Sequence, residues 1–323
     1  MTLVSRVNTL AQTSAYALPI LIDQAGEVAQ YRFIEFFTAT IRNPNTRRAY
    51  HTAIAQFFSW AHSKGLILET INSVHIATYI ESLQRHTSAP TVKQHLAAIR
   101  SLFDWLVTGQ VLAMNPAHPV RGPRHQVTRG KTPILTAEET RLLLDSIPTD
   151  EVIGLRDRAL IALMVYSFAR IGAALAMQVQ DYYPNGKRWW IRLHEKGGKY
   201  HEMPAHHQLE QYLDQYIQAA GIASEPSTPL FRTFKGTSGI MTQNAMRQVY
   251  AWSMVRRRAE AAGIKTPICN HSFRGTGITT YLSNGGTLEK AQQMAAHESP
   301  RTTKLYDRTS DEISVAEIER III

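Results

Sequence analysis

The segment NHSFRGTG, residues 270–277, places a histidine and an arginine three positions apart at the predicted start of a helix. Side chains at this spacing, here those of His271 and Arg274, share one helix face. The first amide groups of a helix are unpaired and its dipole is positive at that end, so an anion binds there readily. The two side chains are therefore placed to bind one phosphate. By itself the pattern is weak evidence, because H-x-x-R occurs by chance in many helices.

The charge of the chain favours a polyanionic partner. Its 323 residues include 35 lysines and arginines against 26 aspartates and glutamates, which gives a net charge of +9. An excess of this size indicates nucleic acid first and an anionic membrane surface second. On charge alone, a basic enzyme without such a partner is an equally good interpretation.

Hydrophobic residues make up 44% of the chain, so we expect a folded protein. The length of the chain suits two domains.

Several classes of protein can be set aside. The single cysteine, Cys269, cannot form an internal disulfide, which predicts a cytoplasmic protein. No run approaches the ~20 apolar residues of a membrane span. No Cys/His set has metal-ligand spacing, and no glycine-rich nucleotide loop is present. We therefore expect no metal, no cofactor, no small-molecule substrate and no membrane partner.

The first part of the chain has the pattern of an all-helical domain. Residues 1–26 are predicted to be a loosely structured leader, and residues 27–115 the domain itself. Apolar residues at spacings of three and four predict helices over 43–65, 73–86 and 89–110. Asn45 or Thr46 is the predicted cap of the first of these helices. In the last one, five apolar residues lie on a single stripe: Val92, Leu96, Ile99, Phe103 and Leu106.

A linker and a second domain follow. Residues 116–133 combine prolines, glycines and basic residues without an apolar period, which indicates a linker, either lying along a phosphate backbone or solvated as a plain tether. Residues 134–310 form the second domain, and residues 311–323 a C-terminal tail. The segment 154–177 reads as a long, mostly buried helical region. Further helices are predicted over 206–221, 242–263, 271–286 and 287–297.

A change of period inside the second domain predicts a small sheet. Residues 181–204 alternate polar and apolar side chains, with turns at Asn185-Gly186 and Gly197-Gly198, as in a three-stranded meander. Before the buried helical region, Thr136 and Glu139 have the spacing of a capping box. The predicted fold is therefore mainly α with a small antiparallel β-meander.

Six residues in this second domain have a distinctive order and spacing. His297 follows Arg274 by 23 positions, and Tyr306 follows His297 by nine, in the segment AAHESPRTTKLYDR. The full set is Arg170, Lys196, His271, Arg274, His297 and Tyr306. It resembles the catalytic domain of the tyrosine recombinases, the phage integrase family, over roughly 133–310. Residues 30–115 more weakly resemble the family's helical, SAM-like core-binding domain.

The resemblance implies how the scissile DNA phosphate is held. Arg170 and Arg274 match the arginine pair that binds its non-bridging oxygens. Two planar guanidinium groups can neutralise a phosphorane-like transition state through paired hydrogen bonds. His297 fills a position where the family has histidine or tryptophan, which donates a further hydrogen bond.

The resemblance also implies the covalent chemistry. Tyr306 matches the nucleophile, His271 the histidine that assists proton movement there, and Lys196 the hairpin lysine that acts as general acid. Lys199 is a nearby alternative, but Lys196 falls where the family pattern has its first lysine. A phenol with a pKa near ~10 is a poor nucleophile at neutral pH, and we expect the clustered positive charge to favour its ionised form. Neither ATP nor a metal is required.

One departure from the family pattern concerns an acidic residue. The family usually has one three places after the first arginine, and this chain has Ala173 there. That acid normally supports the histidine side of the site. Its absence leaves two interpretations: another carboxylate substitutes, or the site is weaker.

The function implied is site-specific recombination by a simple, Xer-like enzyme of a phage, mobile element or chromosome. It would proceed through a 3′-phosphotyrosyl intermediate and a Holliday junction. The expected partners are double-stranded DNA with short inverted-repeat sites, enclosed by a two-domain clamp, and further copies of the chain in a homo-tetramer or paired dimers. The tail 311–323 would contact a neighbouring protomer. Two alternatives stay open: a type IB topoisomerase-like relaxing enzyme and a catalytically weakened DNA-binding protein.

A cluster of arginines outside the catalytic set has two interpretations. Arg256, Arg257 and Arg258 lie in a predicted helix with Thr242 as its cap. The helix either faces a DNA groove and contacts phosphates or presents a solvated charged face.

Overall fold

The computed structural model describes residues 18–125, 130–195, 200–236, 238–307 and 318–319. By its internal contacts the chain divides into two compact units, Met1–Gln126 and Val127–Ile323. Within the described parts, no helix combines the length and the apolar character needed to cross a bilayer.

The first unit is helical. Its helices are α1 (Ile20–Gln24), α2 (Glu27–Glu35), α3 (Pro44–Ser63), α4 (Ser73–Gln84) and α5 (Ala89–Thr108). A short π-helical segment, Phe36–Thr40, extends α2, and a 3-10 turn, Leu68–Thr70, precedes α4. All five residues of the predicted apolar stripe on α5 are buried in the core of this unit.

Two expectations for the first unit were wrong. The predicted leader is not loose throughout, because α1 folds and buries Leu21 and Ile22 in the core. Burial of this apolar pair offsets part of the chain entropy that the short helix loses. The cap of α3 is Asn43, whose side chain accepts hydrogen bonds from the amides of Asn45 and Thr46. Pro44 then takes the first helical position, where its missing N–H has no partner to lose.

The first core also reaches beyond residue 115. Ala117 and Val120, inside the segment expected to be a linker, are buried against it. The Arg100 guanidinium on α5 donates to the carbonyl of Ala117 at 3.1 Å and also to that of Val120. The basic, proline-rich segment is therefore fastened to the helical unit over its first part.

The second unit surrounds two small sheets with helices. Its helices are α6 (Ala137–Asp145), α7 (Val152–Tyr166), α8 (Ile171–Ala176), α9 (His207–Ala220), α10 (Gln248–Ala261), α11 (Asn270–Ser283), α12 (Leu288–Met294) and α13 (Pro300–Lys304). Its strands are β1 (Tyr182–Asn185), β2 (Arg188–His194), β3 (Tyr200–Pro204), β4 (Arg232–Phe234) and β5 (Met241–Ala245). A mainly α fold with small antiparallel sheets is thus confirmed.

The β-meander forms as predicted, with strands in the order β1-β2-β3. Asn185 pairs with Arg188, so the turn residues are Gly186 and Lys187, one position later than expected. Gly186 has a φ of +61°, a conformation that glycine adopts without strain. The turn between β2 and β3, predicted at Gly197-Gly198, lies outside the described residues. The predicted capping box is confirmed, with Thr136 and Glu139 bonded reciprocally at 2.9 and 3.1 Å.

The helix predicted from residue 242 begins later. Met241–Ala245 is instead strand β5, paired antiparallel with β4, and α10 starts at Gln248 behind the cap residue Arg247. Thr242 therefore caps no helix; its hydroxyl lies 2.6 Å from that of Thr233 across the strand pair. A short polar run carries little local preference, so pairing with a neighbouring strand decided its conformation.

The long helical region predicted over 154–177 is interrupted. Helix α7 ends at Tyr166, Phe168 adopts a φ of +55°, and α8 starts only at Ile171. At this break, Phe168 lies against helix α11. The break also places Arg170 immediately before α8.

Helix α11 approaches this break very closely at Gly277. A β-carbon added there would lie 2.1 Å from the carbonyl oxygen of Val165 and 2.7 Å from the Phe168 ring. Since a backbone carbonyl in a buried helix cannot move aside cheaply, only glycine fits between α11 and α7.

We therefore expect Gly277→Ala to destabilise the protein by ~3 kcal/mol, because overpacking against backbone forces the helices apart. Urea-induced unfolding followed by circular dichroism would measure it. Gly172→Ala is the matched control: its added β-carbon would meet only the Gln248 side-chain end, at 3.1 Å, and alanine raises helix propensity by up to ~1 kcal/mol. Equal stability of the two variants would contradict the close-approach explanation.

Candidate active site

The structure brings five of the six predicted site residues together in the second unit. They are Arg170, His271, Arg274, His297 and Tyr306. Lys196 and its alternative Lys199 lie outside the described residues, so their assignment stays a prediction.

Three structural features carry these side chains. Arg170 is the last residue of the break before α8, in an extended conformation. His271 and Arg274 lie in the first turns of α11. The segment that follows α12 supplies His297, and Tyr306 comes directly after the short helix α13.

Helix α11 also fixes the position of Tyr306. The Thr279 hydroxyl donates to the Tyr306 carbonyl at 2.9 Å. The tyrosine ring lies over Gly275, where an added β-carbon would be 3.3 Å from it. Tyr306 is buried together with Phe168, Ile278, Ala291 and Ala295 in a small apolar cluster. The ring is thus held by packing, and its hydroxyl is the part that points to the polar residues of the site.

The closest polar partner of the tyrosine hydroxyl is a histidine. The Nε2 atom of His271 lies 2.7 Å from the Oη atom of Tyr306. This is ordinary hydrogen-bond length between a phenol and an imidazole. A neutral His271 with an unprotonated Nε2 can therefore accept the phenolic proton.

Burial sets the protonation states of this pair. Burial raises the pKa of Tyr306, and the charges of Arg274 and Arg170 act in the opposite direction without overcoming it. The two arginines thus favour the ionised phenol, as expected, but burial outweighs them in this structure. Burial lowers the pKa of His271, and both arginines lower it further. Tyr306 is accordingly a neutral phenol at neutral pH, and His271 a neutral base.

Arg274 is a buried cation held by two backbone carbonyls. Its terminal nitrogens donate to the carbonyls of Phe168 and Ala295. Burial lowers its pKa to about 10, so it stays charged at neutral pH. Its Nε is buried and has no hydrogen-bond partner within the described residues. A buried N–H of this kind is costly unless an acceptor reaches it, and a phosphate oxygen is an acceptor of the right charge.

His297 lies on the other side of the nucleophile candidate. Its ring is nearly parallel to that of Tyr306, at 8° with centroids 6.1 Å apart, and its Nδ1 lies 2.8 Å from the Thr303 hydroxyl. Burial lowers the pKa of His297 to about 3, with a further lowering by Arg274 and Arg170. The imidazole is therefore neutral and keeps one N–H to donate.

A carboxylate that sequence reasoning missed contacts the site. The side chain of Glu195 forms an ion pair with Arg170. Ala173, the position where the family has its acid, is a buried alanine on α8. The signal in the sequence was the position of Glu195, directly before Lys196, but adjacency along the chain does not show which cation a carboxylate reaches.

The arginine cluster on α10 does not act as a unit. Arg258 donates to the buried carboxylate of Asp157 at 3.0 and 2.8 Å, and therefore serves the interior of the unit. Arg256 is exposed and its guanidinium lies 4.9 Å from the centre of the Trp252 ring. Arg257 is also exposed, and its guanidinium lies 3.8 Å from the same Asp157 carboxylate. Arg258 therefore fits neither interpretation of this helix: it is not free to contact DNA phosphates, and it does not belong to a solvated charged face.

Comparison with known proteins covers both units. Residues 133–312 match the model of the phage integrase family, and residues 32–110 match that of the phage integrase N-terminal SAM-like domain. The tyrosine recombinase XerD of Chlorobaculum tepidum is 27% identical, over 81% of this chain and 85% of the relative. XerD of Pseudomonas aeruginosa is 24% identical over 81% and 86%.

Solved structures share the fold. XerH bound to a palindromic difH substrate, in a post-cleavage complex, superimposes with a TM-score of 0.67 and 18% identity over 94% of this chain and 84% of that one. A lambda integrase dimer bound to a COC′ core site gives a TM-score of 0.67 and 18% identity over 97% and 83%.

The lowered pKa of His297 predicts a pH-dependent stability. Because its folded pKa (about 3) lies below the ordinary ~6.5, the unfolded chain binds more protons in between. Stability is therefore fully present above pH ~6.5 and falls as the pH drops. From pH 7.5 to 5.0 we expect wild type to lose up to ~2 kcal/mol more than His297→Gln.

Urea titrations at the two pH values would measure this difference. His207→Gln, which changes an exposed histidine of the same unit, serves as the control and should behave like wild type. An equal loss for His297→Gln and wild type would show that His297 is not the group responsible.

Proposed function

The chain belongs to the phage integrase family, and we propose that the residues around Tyr306 perform its reaction, the cutting and rejoining of DNA at specific sites. The enzyme is a tyrosine-type site-specific recombinase. The observation that carries the assignment of Tyr306 is its hydroxyl lying 2.7 Å from the Nε2 of a neutral, buried histidine.

The first step forms the covalent intermediate. His271 takes the phenolic proton as the Oη atom of Tyr306 attacks the phosphorus. The bond between phosphorus and the 5′-oxygen breaks, which leaves a 3′-phosphotyrosyl linkage and a 5′-oxygen that needs a proton. We assign that proton to Lys196 as general acid. Rejoining runs the same transfers in reverse, with a 5′-hydroxyl as the nucleophile.

The arginines stabilise the charge that develops on the phosphate. Arg170 and Arg274 are proposed to bind its two non-bridging oxygens, and His297 to donate a third hydrogen bond. The unpaired, buried Nε of Arg274 supports this role, since donors already fixed in place need no reorganisation in the transition state. An incoming phosphate also moves negative charge next to His271, which makes the histidine a better proton acceptor.

The proposed partner is duplex DNA with short inverted-repeat sites. The solved relatives include XerH on difH DNA and a lambda integrase tetramer on a Holliday junction. We propose that this chain likewise acts as a homo-tetramer or paired dimers, with both units around the DNA and the tail 311–323 contacting a neighbour. Of the tail, residues 318–319 are described. A cytoplasmic, DNA-associated location follows from the substrate.

The exposed side of α10 is proposed to contact the DNA backbone. Arg256 and Arg257 are exposed there, beside the half-exposed Trp252. Arginines at such a surface bind phosphates and give salt-dependent affinity.

The topoisomerase-like alternative is not favoured, because the relatives bear the names of site-specific recombinases.

The assignment of the nucleophile is tested by Tyr306→Phe. This variant should bind its DNA site within about twofold of wild type, because Tyr306 adds one hydroxyl to a large interface, and should form no covalent adduct. The assay is a denaturing gel of protein incubated with a nicked duplex carrying a site selected by its binding to the protein. Tyr281→Phe alters a tyrosine packed against the same apolar cluster and should keep adduct formation. A covalent adduct with Tyr306→Phe would exclude Tyr306 as nucleophile.

The assignment of Lys196 is tested through the leaving group. An alkoxide leaves poorly without a proton, whereas a thiol, with a pKa near ~8.5, leaves without help. Lys196→Ala should therefore fail on ordinary DNA but cleave a substrate with sulfur at the bridging 5′ position at close to the wild-type rate. Arg274→Ala should not be rescued to that extent, because arginine acts on the phosphate. Rescue of Lys199→Ala but not of Lys196→Ala would transfer the role to Lys199.

A further inference from the structure

A carboxylate at the end of strand β2 contacts an arginine of the candidate site. Glu195 follows directly after β2, and its Oε2 forms an ion pair with the Nη1 of Arg170. Its charge also reaches Arg274: burial and Arg170 lower the pKa of that arginine, and Glu195 acts in the opposite direction. Glu195 therefore belongs electrostatically to the same group of charges as both arginines.

The relative exposure of the pair shows which partner faces the substrate. The Arg170 side chain is 41% exposed and the Glu195 side chain 8%. The arginine is thus in front, accessible to a phosphate, and the carboxylate is behind it. A carboxylate that merely occupied the phosphate position in the empty site would be the exposed member of the pair. The observed exposures are those expected if Arg170 binds the phosphate and Glu195 holds Arg170 from behind.

The need for such a support follows from the chemistry of arginine. Its guanidinium has five N–H donors on a flexible stem, and one carboxylate contact restricts where the group lies while it leaves other donors free for a phosphate. Arg170 lies before the short helix α8, where the expected acid three positions later is Ala173. No neighbour on α8 itself can therefore provide the carboxylate.

We propose that Glu195, which lies directly after β2, is the positioning residue for Arg170. The inference rests on the proposed function of Arg170 as a phosphate ligand. It follows that Arg170 is oriented by the same hairpin that carries Lys196. Placement of the phosphate and placement of the leaving-group acid are thereby linked through adjacent residues.

The test distinguishes a role of Glu195 in positioning Arg170 from a role in binding DNA. Glu195→Gln keeps the shape and removes the charge. Single-turnover cleavage of a nicked duplex site should fall 10–100-fold, the range for loss of a residue that orients an active group, while DNA affinity in a gel shift changes less than about threefold. Glu202→Gln is the matched control: that carboxylate pairs with Arg192 at 2.6 Å on the same sheet, and its loss should leave cleavage unchanged.

A sulfur substrate shows which neighbour Glu195 acts through. With sulfur at the bridging 5′ position, the leaving group needs no acid. Glu195→Gln should remain slow on this substrate, because Arg170 acts on the phosphate. Full rescue would overturn the proposal, since it would place the effect of Glu195 on the lysine. Wild-type cleavage by Glu195→Gln, or a loss of DNA affinity as large as the loss of cleavage, would overturn it as well.

Failure of wild type to form any covalent adduct would be a separate result, against the proposed function and not against the role of Glu195.

Discussion

The catalytic unit depends on one buried cation. Arg274 is 1% exposed and donates to the carbonyls of Phe168 and Ala295. Phe168 comes two residues before Arg170, and Ala295 two residues before His297, while His271 lies one turn earlier on the arginine's own helix. A buried N–H without an acceptor is costly, so the two hydrogen bonds to carbonyls hold these three segments close together. The cation proposed to bind the phosphate thus also assembles the residues around it.

The same burial prepares the proton transfer. Removal from water favours the neutral form of both partners, so it raises the pKa of Tyr306 and lowers that of His271. Before DNA arrives, the site consequently holds an intact phenol beside an unprotonated imidazole at 2.7 Å. In the proposed reaction, a phosphate then contributes the negative charge that stabilises the imidazolium. Tyr306 would therefore be activated only when DNA is present, which would limit reactions with other groups.

Positive charge in this chain has two separate uses. Arg258 and Arg156 bind the buried Asp157, and Arg232 pairs with Glu225, so these arginines stabilise the second unit from inside. Arg256 lies at the surface, and Arg257 is exposed although its guanidinium lies 3.8 Å from Asp157. The net charge of +9 therefore points correctly to nucleic acid, but residue counting cannot tell a structural arginine from one that contacts DNA. To distinguish the two kinds of arginine, one must know which group each guanidinium contacts in the structure.

The sequence by itself predicted the helical fold and the meander, because helix period and turn chemistry are local properties of the chain. The resemblance to the phage integrase family predicted the set Arg170, His271, Arg274, His297 and Tyr306, and the structure brings these side chains together. Tertiary structure decided the rest. It broke the long helix at Phe168 and made a strand of the polar run at Thr242. It also raised the pKa of Tyr306 against the charge of the arginines, since desolvation depends on what surrounds a group. It also brought Glu195 to Arg170, 25 residues apart in sequence. Contacts of this range are set by packing, which no local pattern records.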